Sequence, residues 1–214
     1  MDIDLTRIGM NKTQQYEAII TTIDKDGKTN AAPFGVRVLD RDKVQLRIFE
    51  GGTTIKNIKE TEEFVVNITC DPIMFSLSTI NTIPEEYLSR INHEHSEFAY
   101  ITNTDAYFIC KAESIKKGLR KDDINSSEIN IIKSNVIKLQ INNPCTKPIN
   151  RGIHALIESL VNHSRISIVN EEKREFFLER FKESERMIKK VGSKEEKESI
   201  GLLKEDLKNQ GFDV

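Results

Sequence analysis

The sequence is poor in cysteine, nearly without net charge, and lacks any long apolar run; each shortage removes a class of protein. Its three cysteines, Cys70, Cys110 and Cys145, lie far apart and form no CxxC pair. An odd, unpatterned count speaks for reduced thiols rather than a disulfide framework. The default for such thiols is burial as small hydrophobes. Basic and acidic residues almost cancel, 32 against 34, leaving a formal net charge of −2. No global field therefore draws the chain to nucleic acid or to an anionic membrane. Any anion site must be local. No apolar stretch approaches the roughly 20 residues of a membrane-spanning helix. The opening Met1-Asp2-Ile3-Asp4 lacks the basic segment and apolar core of a signal peptide. These features lead us to expect a cytoplasmic protein. Internal repeats and low-complexity linkers are absent too.

What is present suits a folded chain with a proper core: 214 residues, 37% hydrophobic and 31% charged. The first two thirds read as strands. Tyr16 to Ile23 is β-branched and closes on Asp24-Lys25-Asp26-Gly27, a turn signal with glycine where φ > 0 is expected. The return run, Asn30 to Leu39, ends at a second polar turn, Asp40-Arg41-Asp42. Val44, Leu46 and Ile48 then alternate with Gln45 and Arg47, the period of a half-buried strand. Phe64 to Thr69 is a continuous apolar run suited to a strand buried on both faces. Further strands are expected at Ala106 to Ile115 and Asn135 to Ile141. Short strands joined by tight turns predict a closed β-barrel. The segment Ile80 to Thr104 reads as a long loop or small helical insertion, and Lys116 to Asn130 as an exposed charged connection.

After Pro148 the pattern becomes helical. Ile153, Leu156, Ile157, Leu160 and Val161 fall at helical spacing over residues 150–163. Asn170 can cap a second helix carrying Phe176, Phe177, Leu178, Phe181 and Ile188; Gly192-Ser193 separates it from a third ending near Lys208. The expected organisation is a mainly β barrel over residues 1–145 and a helical subdomain over 146–214.

The stretch that carries chemistry runs Arg47-Ile48-Phe49-Glu50-Gly51-Gly52-Thr53-Thr54-Ile55-Lys56-Asn57-Ile58. A strand enters a glycine pair, then two hydroxyl side chains, then a short helix over Thr53 to Glu60 with a hydroxyl N-cap. Glycines let backbone N–H groups approach an anion, the helix start carries partial positive charge, and threonines donate hydrogen bonds. Arg47 or Lys56 is positioned to add a charge-assisted bond. The spacing is not that of a Walker loop. Local features leave two readings open, a phosphate cradle or a capped helix after a turn.

A wider comparison of residues adds a family. Thr54-Ile55-Lys56-Asn57-Ile58 followed by Phe64-Val65-Val66-Asn67 resembles the D-T-x-x-N-I helix start and F-V-V-N strand of flavin reductase-like FMN-binding split barrels. Upstream, Asn30-Ala31-Ala32-Pro33-Phe34-Gly35-Val36 is similar to their N-x-A-P strand, which runs past the isoalloxazine ring. Thr53 stands where that family has an acidic residue, so which of Thr53 and Thr54 is the main phosphate ligand stays open. The whole chain is more similar still to an uncharacterised, largely archaeal family of FMN-binding split-barrel proteins with a helical C-terminal extension. That similarity rests on Asp71-Pro72 with Phe75, and on Lys147-Pro148-Ile149-Asn150-Arg151-Gly152 leading to Glu158, Val161 and Arg165.

The resemblance implies a homodimer with one FMN per subunit near the interface. It implies Thr53, Thr54 and Asn57 on the phosphate or ribityl chain, backbone contacts from Phe34, Gly35 and Val36 to the ring, and Arg37 near the ring's polar edge. Arg151 either completes the phosphate site or ends a helix in solvent. Some members of that family lie beside genes of tetrahydromethanopterin-linked one-carbon metabolism. The activity implied is that of an FMN-dependent oxidoreductase of unknown substrate, reduced by NAD(P)H or a deazaflavin. The alternatives are a flavin-binding carrier, sensor or assembly module without turnover, and a barrel that has exchanged flavin for another phosphorylated ligand. No side chain declares itself an acid or base, so the cofactor would carry the chemistry. His93 and His95 flank Glu94 but have no third ligand nearby, and no metal site is expected.

Overall fold

The computed structural model describes residues 3–121 and 126–214. They form two compact units, Met1–Ile149 and Asn150–Val214. The first is a closed antiparallel barrel of six strands: β1 (Gln15–Ile23), β2 (Thr29–Asp40), β3 (Lys43–Phe49), β4 (Glu63–Ile68), β7 (Ala106–Lys121) and β8 (Ser126–Ile141). Their order around the barrel is β1-β2-β3-β8-β7-β4. Alternation decides which side chains enter it. Ala18 and Ile20, Val36 and Val38, Val44 to Ile48 in steps of two, and Phe64, Val66 and Ile68 meet Phe108 and Ile132 inside.

The alternate residues of β1, β4 and β7 are covered from outside. Ile19 and Ala31 pack with Met74 of α2 (Pro72–Thr79) and with Ile101. Val65, Tyr107 and Ile109 pack with Phe98. Burial on both faces is why Phe64 to Ile68 has no polar alternation. Phe98 and Ile101 belong to a two-stranded hairpin, β5 (Leu88–His93) and β6 (Ser96–Ile101). The stretch expected as a loop or helical insertion at residues 80–104 is thus this hairpin, preceded by a 3-10 turn at Glu85–Tyr87. β6 buries Phe98 on one face and Ala99 and Ile101 on the other, and most of β5 is polar, which hid the strand period. Helix α2 was also unforeseen; Asp71 caps it by accepting from the N–H groups of Ile73 and Met74.

The expected charged connection at 116–130 is corrected as well. β7 and β8 continue as a paired ribbon from Ile115↔Ile132 to Lys121↔Ser126, and residues 122–125 lie outside the described residues. Main-chain pairing sustains this ribbon, and Lys116 and Lys117 offer no apolar alternation to announce it. The chain stays on the barrel unit as far as Ile149, whose carbonyl accepts from the Glu17 N–H at 2.8 Å. Cys110 lies in the barrel core, and burial pushes its thiol well above the ordinary range. Cys70 and Cys145 are exposed, against the default expectation of burial.

The second unit holds α3 (Arg151–Ile166), α4 (Glu171–Val191) and α5 (Lys194–Asn209). Asn170 caps α4, and Ser193 with Glu196 forms a reciprocal capping box on α5. Ile166, Phe181, Ile188, Ile200 and Leu207 make its core. In α3, Gly152, Ser159, Asn162 and Ile166 are buried within the unit, while Ile153, Ile157 and Leu160 of the apolar stripe are exposed. Small residues let the helices close up, since a Cβ on Gly152 would stand 2.7 Å from the Gly192 Cα. No helix among the described residues is long and apolar enough to cross a membrane.

Candidate functional site

The two ends of the barrel are plugged differently. At the start of β3, a 3-10 turn at Leu5–Ile8 inserts Leu5 and Ile8, and the Leu5 N–H donates to the Arg41 carbonyl at 2.8 Å. At the far end of β3 the chain turns through Gly51, at φ +92, where a side chain would be strained. It then enters α1 (Thr53–Thr61), which inserts Ile55 and Ile58.

The N-cap of α1 is Gly52, with extended backbone and no side-chain hydrogen bond. The expected hydroxyl cap is therefore not formed: Thr53 is the first helical residue, one position too late to cap. The opening amides of a helix have no partners within it, and here the ladder begins with the Lys56 N–H donating to the Gly52 carbonyl at 3.2 Å. The other four α-helices carry side-chain caps, from Asp71, Asn150, Asn170 and Ser193.

Thr54 and Asn57, three residues apart, share the inward face of α1 and are only 3% and 2% exposed. Buried polar groups of this kind need partners. Asn30 Nδ2 of β2 donates to Thr54 Oγ1 at 2.9 Å, and Asn57 Nδ2 donates to Thr22 Oγ1 of β1 at 3.0 Å. These bonds tie the helix start to two strands. Beside them opens a cleft of about 370 Å³, lined among others by Asp24, Lys28, Asn30, Thr53, Asn57 and Asn81.

Two carboxylates stand near the helix start, and both are engaged. The Glu50 carboxylate accepts from Lys59 Nζ at 2.8 Å and from Asn130 Nδ2 at 2.7 Å, bonds that hold it below the usual carboxylate range. Asp24, the carboxylate of the cleft, accepts from the N–H groups of Asp26 at 3.0 Å and Lys28 at 2.8 Å. The donors left are the first-turn amides, the Thr53 hydroxyl and the Lys28 ammonium. Lys28 pairs with no carboxylate among the described residues. That donor set, with room beside it, fits a phosphate.

Of the residues singled out from sequence, Thr53 and Asn57 share this cleft, and Thr54 joins it through Asn30. Phe34, Gly35, Val36 and Arg37 lie further along β2, starting roughly 13 Å beyond Asn30 at strand rise. The Val36 side chain is wholly inside the barrel, so only its backbone can meet a ligand; Phe34 packs partly against the same core. Gly35 faces outward, where a Cβ would run into the Gln15 side chain, and Arg37 is exposed. Arg151 is the first residue of α3 in the second unit and is exposed. Arg47 and Lys56 are exposed and do not line the cleft.

Among the lining residues that the sequence reading did not name as site residues are Asn30, Lys28 and Asn81. Asn30 opens the N-x-A-P stretch, and that position was its signal. Lys28 follows the Asp24–Gly27 turn, an unremarked basic residue at a strand entrance. Asn81 sits at φ +55 after α2, and no local pattern places it near α1.

A six-stranded closed barrel, an added hairpin and C-terminal helices define a split barrel with a C-terminal helical unit. Within that class the chain belongs to the family described as protein of unknown function (DUF447): residues 16–143 match its N-terminal domain and residues 150–205 its following part. The chain is similar to the uncharacterized protein MJ1453 of Methanocaldococcus jannaschii, 25% identical over 193 residues, covering 88% of this chain and 96% of that one. It is also similar to the crystal structure of the FMN-bound protein MM1853 of Methanosarcina mazei, from the same family, at 24% identity and TM-score 0.55. That match covers 94% of this chain and 99% of the other.

Proposed function

We propose that this chain binds FMN, with the phosphate on the first turn of α1 and the ring along β2 toward Phe34–Arg37, and works as a flavin-dependent oxidoreductase of the flavin reductase type. The observation that carries the reading is the start of α1. Alone among the α-helices of the described residues it lacks a side-chain cap, and it opens beside a polar cleft. A same-family relative whose crystal structure is FMN-bound supports the choice of ligand.

In this reading Thr53 donates its hydroxyl to a phosphate oxygen, and the amides of the first turn supply further bonds. Thr54 and Asn57 hold the helix start against Asn30 and Thr22 rather than acting as the main ligands. The backbone at Phe34, Gly35 and Val36 borders the ring, with Arg37 at its polar edge. FMN, when bound, supplies the redox chemistry, and the chain supplies binding and orientation. The protein works as a cytoplasmic homodimer and takes electrons from NAD(P)H or a deazaflavin.

A second reading, a flavin carrier or sensor without turnover, is favoured by one feature. The cleft offers donors and amides, while its carboxylate, Asp24, is engaged by turn amides. Anaerobic mixing of the FMN-loaded protein with NADH, NADPH or a reduced deazaflavin separates the two. Bleaching of the flavin band with one donor supports the oxidoreductase, and no bleaching with any supports the carrier. Failure of the purified chain to bind FMN would remove both.

A further inference from the structure

The turn between β1 and β2 is built from several directions. Asp24 N–H donates to the Lys28 carbonyl at 3.0 Å, and the Asp24 carboxylate takes the Lys28 N–H, so the two ends of the turn are fixed together. Gly27 sits at φ +82 between them. An external pin comes from β5: Arg90 Nη2 donates to the Gly27 carbonyl at 2.7 Å and reaches Thr29 Oγ1 at 3.5 Å. The same guanidinium pairs with Glu97 of β6. Arg90 thus fastens the β1–β2 turn to the outer hairpin, and that hairpin also brings Leu88 to the cleft.

This clamp holds a particular residue. Lys28 lines the cleft that opens beside the α1 start. It is the one lysine among the lining residues, and it pairs with no carboxylate among the described residues. A lysine free of a carboxylate, on a clamped turn beside donors suited to phosphate, is placed to read charge rather than shape.

We propose that Lys28 is the residue that selects the 5′-phosphorylated flavin over the unphosphorylated one, and that Arg90, braced by Glu97, is a positioning residue acting through Lys28. The assignment rests on the flavin reading above and goes beyond it by naming the cation and the device that aims it. It replaces Arg47 and Lys56, whose side chains lie away from the cleft.

The test compares the dissociation constants of FMN and of riboflavin, which differ only in the phosphate, by titrating flavin fluorescence against the full chain. Lys28→Met is expected to weaken FMN about tenfold, the loss of one charge-assisted bond, while riboflavin affinity stays level. Arg90→Met should lower the FMN-to-riboflavin preference by a similar factor, Arg90→Lys should restore part of it, and the Lys28→Met/Arg90→Met pair should lose no more than Lys28→Met alone. A general loosening of the hairpin would instead weaken both flavins equally and add to the Lys28 effect, which overturns the role of Arg90. Unchanged preference in Lys28→Met, with wild-type protein still favouring FMN, overturns the role of Lys28. Wild-type protein that binds neither flavin overturns the flavin reading itself and this assignment with it.

Discussion

The barrel has two plugs, and the contrast between them separates what keeps the fold from what equips the site. Leu5 and Ile8 seal one end; Ile55 and Ile58 seal the other. The first plug is finished with its own side chains: Asp4 takes both the N–H and the hydroxyl of Thr6, at 2.9 and 2.7 Å, and Gly9 closes the turn in the left-handed region. The second is left open at its first turn and surrounded by polar groups. Apolar insertion is common to both, so it serves stability. The missing cap is particular to one, and it leaves donors for a ligand.

That contrast can be broken from either side. Leu5→Ala at the closed end should cost about 3 kcal/mol of stability, in the usual range for an emptied core site, read as a lowered urea midpoint. The FMN affinity of the folded fraction should not change. Gly52→Asp would give the open end the cap it lacks; the backbone at Gly52 is extended and nothing lies within 4 Å of a Cβ there. A gain of a few tenths of a kcal/mol is expected from the new cap, together with about a hundredfold loss of FMN affinity, because a carboxylate then occupies the donors and repels phosphate. Stability and binding moving in opposite directions is the signature of this account. Thr53→Ala should weaken FMN about tenfold and leave the thermal midpoint near wild type, since Thr53 is exposed.

The smallest effect concerns acid. Asp4 is held below the ordinary aspartate value of 3.8, first by the Thr6 hydroxyl and then by its amide. A depressed folded-state pKa adds stability above that value and loses it as pH falls through the lowered one. The stability gap between wild type and Asp4→Ala should therefore be full at neutral pH and close in strong acid. A gap independent of pH would mean that the carboxylate is not what closes that end.

Legibility followed burial. β1 to β4 and α1 stand in the chain as alternating or continuous apolar runs, turns and glycine, because each has at least one face in a core. The caps at Asn170 and Ser193 were readable for the same local reason. Hairpin β5–β6 and the β7–β8 ribbon were not, since the polar sequence of β5 and of Lys116-Lys117 carries no apolar period and main-chain pairing holds them. At the site, the glycine-led helix start pointed to Thr53 and Thr54, and the family resemblance added Asn57. Lys28 and Asn81 could not be named, because tertiary folding brings the ends of β1 and α2 to α1 and no spacing along the chain encodes that meeting. The apolar stripe of α3 announced the helix but not the face it buries within its unit: Gly152 and Ser159 turn inward because close helix approach needs small residues.

The central claim is tested most directly by a crystal structure of the chain with FMN. The account predicts phosphate oxygens within about 3 Å of the amides of Thr53 and Thr54, beside the Thr53 hydroxyl and Lys28. A phosphate bound elsewhere, with water at the start of α1, would contradict it.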